Sequence, residues 1–128
     1  MNKNLRQVEA LAEVINEYVS LENVIANLPR GYISVKHISG KVYCYRQWRE
    51  GSKIISVYVP EALLNSTKRK IAARKENEAL LKIVKKDLKK VKNKVLKEGL
   101  LSEEEIDGLI EAAKRGEDVV SLAQEKAQ

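Results

Sequence analysis

Leu28–Pro60 reads LPRGYISVKHISGKVYCYRQWREGSKIISVYVP, and this stretch decides the fold. It holds four of the five tyrosines, the only tryptophan, cysteine and histidine, and both prolines. Apolar and polar residues alternate along it, as they do in half-buried strands. Two short loops ending in glycine, Ser39-Gly40 and Glu50-Gly51, interrupt the alternation. Such loops favour the positive φ of tight hairpin turns. The pattern predicts strands at about 32–38, 41–49 and 52–59, joined as an antiparallel meander.

The loops also fix a register. The first pairs Ile38 with Lys41, hence Val35 with Cys44. The second, with Glu50-Gly51 as its loop, pairs Arg49 with Ser52, hence Cys44 with Val57 and Tyr43 with Tyr58. Alternation then collects Ile33, Val35, Val42, Cys44, Ile55, Val57 and Val59 on one face, with Arg46 nearer the edge. That face needs covering. The opposite face collects Tyr32, Ser34, Lys36, Tyr43, Tyr45, Gln47, Arg49, Ser52, Ile54, Ser56 and Tyr58. His37 falls beside Val42 and is expected to be structural. Cys44 is expected to be a buried, inert thiol.

Outward from the sheet, the chain reads as helix. Asn4 to about Ala26 reads as a helix with a 3–4 stripe of Leu11, Val14, Tyr18, Leu21, Ile25 and Leu28, which Pro29 and Gly31 terminate. After Pro60 a long helix runs over 61–97, with Asn65-Ser66 as a candidate break. Its stripe is Leu81, Val84, Leu88, Val91 and Val95. Ser102-Glu-Glu-Glu105 has the form of a capping box and opens a short helix to Arg115. A last helix or frayed tail follows from Glu117. The fold class expected is α+β: an N-terminal helix, a three-stranded meander, a long basic helix and one or two short C-terminal helices. Residues 1–97 are expected to form one domain and 98–128 an acidic helical appendage.

The chain of 128 residues has a net charge of +6, unevenly spread. Residues 30–58 carry six basic and one acidic side chain, and residues 59–97 thirteen basic and four acidic. Residues 98–128 carry three basic and nine acidic. The basic middle is an electrostatic footprint for a polyanion; the plainer reading is a solvated lysine helix.

Several chemistries lack their residues. One cysteine and one histidine cannot supply ordinary zinc ligation. No phosphate-binding glycine loop occurs. No catalytic, metal or cofactor site is expected, and the chain reads as a non-enzyme. The single cysteine and the lack of a long apolar run point to a reducing cytoplasm and no membrane.

Three readings of the tyrosine face stand side by side: a partner surface, a face covered by a helix of the same chain, or plain exposed sheet. Tyrosine and arginine stack on bases, lysine and arginine meet phosphates, and glutamine and serine bond base edges. Lys36, Tyr43, Tyr45, Gln47, Arg49 and Tyr58, with Lys85, Lys86, Lys89 and Lys90 of the long helix, are therefore the candidate binding residues for DNA or RNA. A second expectation is an inhibitor of a host defence nuclease of the anti-CRISPR type, which would bind a ribonucleoprotein effector. A third is an assembly protein, a homodimer through the helical seams.

The sheet followed by a helix resembles in architecture the arm-type DNA-binding domains of phage integrases. The run Leu28-Pro-Arg-Gly31, then Gly40-Lys-Val-Tyr-Cys-Tyr-Arg-Gln-Trp-Arg-Glu-Gly51, then Lys53-Ile-Ile-Ser-Val-Tyr58 resembles more closely an uncharacterised family of short proteins from bacteria, archaea and mobile elements. The likeness covers about 28–97. Family members generally carry tyrosine where this chain has Cys44 or Trp48. The resemblance implies the meander and the basic helix after it, and a phage or mobile-element origin; it carries no settled activity.

Overall fold

The computed structural model describes residues 3–127, without the side chain of Lys3. The elements run in the order α1 (Lys3–Ala26), β1 (Tyr32–Ile38), β2 (Lys41–Glu50), β3 (Lys53–Val59), α2 (Glu61–Lys97), α3 (Glu103–Lys114) and α4 (Val119–Ala127). The three strands form one antiparallel sheet in the order β1-β2-β3. The expected α+β order is thus the order observed. Helix α2 continues through Asn65-Ser66 without a break.

The first hairpin has the expected register, with Ile38 opposite Lys41 and Val35 opposite Cys44. Both of its loop residues, Ser39 and Gly40, have positive φ (51° and 76°), the signature of a type I′ turn. The second hairpin corrects the expectation by two residues. Glu50 pairs with Lys53, so the loop is Gly51-Ser52, and Cys44 lies opposite Val59 rather than Val57. The cause is the turn type. Gly51 (φ 60°) is positive and Ser52 is not, which fits a II′ turn with glycine in the first central place. A two-residue shift keeps every side chain on its face, because side chains alternate with period two. The two faces therefore keep their composition, while the cross-strand partners change.

The chain clusters into two compact units, one of residues 3–23 with 79–127 and the other of Val24–Glu78. This grouping differs from a division at residue 97. The first unit is helical and holds a true core. Val8, Leu11, Ala12, Ile15 and Val19 of α1 are buried with Val95 of α2, Ile106, Leu109, Ala112 and Ala113 of α3, and Val119 and Ala123 of α4. The α1 stripe is thus centred on Val8, Leu11, Ile15 and Val19, with Val14 and Tyr18 half-buried at its flank. The C-terminal helices are part of this core. Their caps match their sequence. Ser102 Oγ accepts from the Glu105 amide at 3.1 Å, and Glu105 Oε1 accepts from the Ser102 amide at 2.9 Å. Helix α4 has an Asp118 cap, whose Oδ1 accepts from the Ser121 amide at 3.2 Å. With Val119 and Ala123 fully buried, this is a packed helix.

The second unit holds the sheet, the end of α1 and the start of α2. Its chain enters β1 through Gly31, whose φ is 105°. A Cβ placed there would lie 2.1 Å from the Gln47 carbonyl oxygen, so only glycine fits. Arg74 of α2 donates to the Leu28 carbonyl at 2.6 Å. Among the described residues of this unit, only Ile25, Val59 and Ile71 are buried hydrophobics. The expected cover over the valine face is incomplete: it reaches Val59 and leaves Ile33 and Ile55 half-buried. Val35, Val42 and Val57 are 53%, 59% and 45% exposed. Cys44 is half-buried, which corrects the expectation of a fully buried thiol.

Candidate nucleic-acid interface

Six of the ten expected binding residues lie together on one face of the sheet. Two rows cross all three strands of that face, Tyr32–Gln47–Ser56 and Ser34–Tyr45–Tyr58, and shorter pairs such as Lys36–Tyr43 and Arg49–Ile54 flank them. The corrected register puts Tyr45, not Tyr43, directly opposite Tyr58. Their rings meet edge-to-face at 5.8 Å between centroids, a favoured aromatic geometry. Tyr43 reaches the same Tyr58 ring on the diagonal, at 6.3 Å. Lys36 Nζ sits 4.8 Å from the centroid of Tyr45, within cation–π range. The result is an aromatic cluster centred on Tyr58, with an ammonium group over its Tyr45 ring.

Gln47 extends the cluster. Its Oε1 accepts from the Tyr32 hydroxyl at 3.1 Å, and its Nε2 donates to Ser56 Oγ at 3.2 Å. Tyr32 and Ser56 therefore belong to the site, although only the alternation of the strands pointed to them. Arg49 stands at the far end of the face, opposite Ile54, and is exposed. Tyr58 is 52% exposed, while Tyr43 and Tyr45 are half-buried by their neighbours. Ring faces and cations thus share one open surface, which can meet stacked bases and phosphates.

The other four expected residues, Lys85, Lys86, Lys89 and Lys90, belong to the helical unit and are exposed on α2. Lys85 and Lys89 line a groove of about 500 Å³ with Lys92, Leu88, Leu96, Glu103 and Ile110. There Lys92 pairs with Glu103 of α3 at 3.2 Å. The charge of the chain divides by unit, and not as its linear blocks suggest. Val24–Glu78 carries eleven basic and four acidic side chains, a net of +7. The helical unit carries thirteen basic and fourteen acidic, a net of −1. The acids of α1 and α3 offset the lysine run of α2 within its own unit. The excess of positive charge lies in the sheet unit.

The opposite face of the sheet has its own polar cluster at one end. The Arg46 guanidinium lies 4.0 Å from the Trp48 ring centroid and donates to the Arg30 carbonyl at 2.7 Å. Trp48 Nε1 and Arg30 Nη2 both donate to Glu50 Oε1, at 3.0 and 3.1 Å. These bonds, the indole's first, hold the Glu50 carboxyl below its ordinary range. At the other end Cys44 helps line a cavity of about 460 Å³ with Lys41, Val42, Tyr43, Tyr58, Val59, Glu61 and Leu64. His37 is exposed opposite Val42. No group of three or more His, Cys, Asp and Glu side chains that could hold a metal ion occurs among the described residues. No helix of the described residues is long and apolar enough to cross a membrane.

The family match covers residues 5–69, described as a domain of unknown function (DUF6788). The chain belongs to this family. The shared segment takes in most of α1, the whole sheet and the first turns of α2. It starts earlier than the likeness read from 28–97, and it stops before the lysine run at 82–97. The tyrosine face lies wholly inside it and Lys85–Lys90 wholly outside. No curated protein and no solved structure matches the chain.

Proposed function

We propose that this protein binds nucleic acid through the tyrosine face of its sheet. The observation that carries the reading is the joined cluster of Tyr43, Tyr45 and Tyr58 with Lys36 over the Tyr45 ring. It stands open on a unit whose net charge is +7. Such a platform suits a single strand: bases stack on the rings, and cations meet the backbone. Lys36 and Arg49 neutralise phosphate, Tyr45 and Tyr58 offer ring surface, and Gln47 with Ser56 supplies hydrogen bonds to base edges. Lys85, Lys86, Lys89 and Lys90 act at most as a weaker electrostatic supplement, since acids of their own unit offset them.

Fluorescence anisotropy at low salt, with single-stranded DNA, duplex DNA and a structured RNA, tests this. Binding is expected to be tightest for single strands. Log affinity should fall linearly with log salt, by roughly 0.7 per phosphate neutralised on a single strand. Affinity for none of the three would refute the reading. Tight binding only to an assembled ribonucleoprotein nuclease would favour the inhibitor expectation instead.

A further inference from the structure

A sheet with one apolar face normally buries that face against a second layer. In this sheet the face opposite the tyrosines is only partly covered: Val59, directly opposite Cys44, is buried, and Ile33 and Ile55 are half-buried. Val35, Val42 and Val57 lie around Cys44 at 53%, 59% and 45% exposure. Singly exposed valines are ordinary, but a contiguous cluster on a strand face marks an interaction surface. The apolar sides of the chain's amphipathic helices leave Val35, Val42 and Val57 exposed, although Leu64 of α2 lines the cavity beside Val42, Cys44 and Val59. Those of α3 and α4 are already buried, through Ile106, Leu109, Val119 and Ala123, in the core of the helical unit.

Width and charge identify the occupant. Three strands at about 4.8 Å spacing make a face roughly 10 Å across, the diameter of one α-helix with its side chains. The unit that presents the face carries +7. A second copy of the same face would meet it with like charge, and a nucleic acid offers no aliphatic surface to valines. We propose that the valine face docks an acidic amphipathic helix of another protein. The helix would lay leucine-type residues over Val35, Val42 and Val57 and hold its carboxylates toward the flanking cations, Arg46 and Lys53 among them. The inference is independent of what the tyrosine face binds.

The full chain can be titrated with two synthetic helical peptides of about eighteen residues, or five turns. Both carry the same leucine stripe; one has glutamate at its polar positions and the other lysine. Trp48 lies on the valine face and its fluorescence reports binding, while Cys44 at the centre of the patch reports contact through alkylation by iodoacetamide. The glutamate peptide should bind at least roughly ten-fold more tightly than the lysine peptide and weaken with salt. It should slow Cys44 alkylation. Val35→Gln combined with Val57→Gln should weaken the glutamate peptide by about ten-fold, with unchanged circular dichroism. The peptide comparison needs no altered protein, so it stands even if the double variant unfolds. Equal affinity for both peptides, or binding that leaves Cys44 fully reactive, would overturn the proposal. So would no binding at all, or self-association in sedimentation that the double variant abolishes.

Discussion

The two compact units use their apolar residues in opposite ways. Among the described residues, fifteen hydrophobic side chains of the helical unit are buried, Leu101 between α2 and α3 one of them; in Val24–Glu78 only Ile25, Val59 and Ile71 are. The charges divide the same way, with near balance in the helical unit and +7 in the sheet unit. One unit therefore has an interior that stabilises it, and the other consists largely of display surface. A short sheet with few buried contacts gains little hydrophobic stabilisation of its own. Its side chains are left available on both faces, one aromatic and cationic, the other aliphatic.

The sharpest way to break this comparison is paired truncation. Leu109→Ala, in the full core, should cost about 2–5 kcal/mol in urea unfolding. Val42→Ala, on the open sheet face, should cost about 0.5 kcal/mol or less, as exposed substitutions do. Similar losses would mean that the sheet has a core of its own. Next in size is Tyr45→Ala, which removes the ring between Lys36 and Tyr58. It should weaken single-strand binding by about 1–3 kcal/mol and leave unfolding of the helical unit unchanged. Ser102→Ala removes one arm of the capping box and should lower the stability of the helical unit by about 1 kcal/mol, with no effect on nucleic-acid affinity.

Acid should act on both units, with a sign that follows from the bonds. Backbone and side-chain hydrogen bonds to Ser102 hold Glu105 below its ordinary pKa, and those from Ser121 do the same for Asp118. Glu50 is held low by Trp48 and Arg30. A carboxyl lowered in the folded state adds stability above its unfolded pKa and loses that contribution as pH falls through the folded value. Stability should therefore decline below the ordinary carboxylate range, and Trp48 emission should change as Glu50 takes up its proton. The smallest effect expected is that of reversing Lys85, Lys86, Lys89 and Lys90 to Glu. It should weaken binding by less than Tyr45→Ala does, because the acids of the helical unit already balance its formal charge.

Most of the fold was legible because its signals are local. Pro29, Pro60 and the Ser102–Glu105 box mark element ends through backbone chemistry that neighbours cannot override. The tyrosine face was legible because alternation survives a register error of two. The error itself came from reading Glu50-Gly51 like Ser39-Gly40; a glycine can stand first or second in a two-residue turn, and only φ tells which. Burial was less legible. Val35, Cys44 and Val57 look like core by pattern, yet pattern says which face a residue takes and not whether anything lies over it. The charge balance of the lysine run was not legible for a related reason. Its counter-charges, Glu103 among them, come from a distant segment that only the fold brings alongside.

The most direct test of the central claim is a backbone amide chemical-shift map of the protein titrated with a short single-stranded oligonucleotide. The shifts should concentrate on Val24–Glu78, strongest at Lys36, Tyr43, Tyr45, Gln47 and Tyr58, and leave α3 and α4 unmoved. Shifts confined to the lysine run of α2, or none at saturating oligonucleotide, would contradict it.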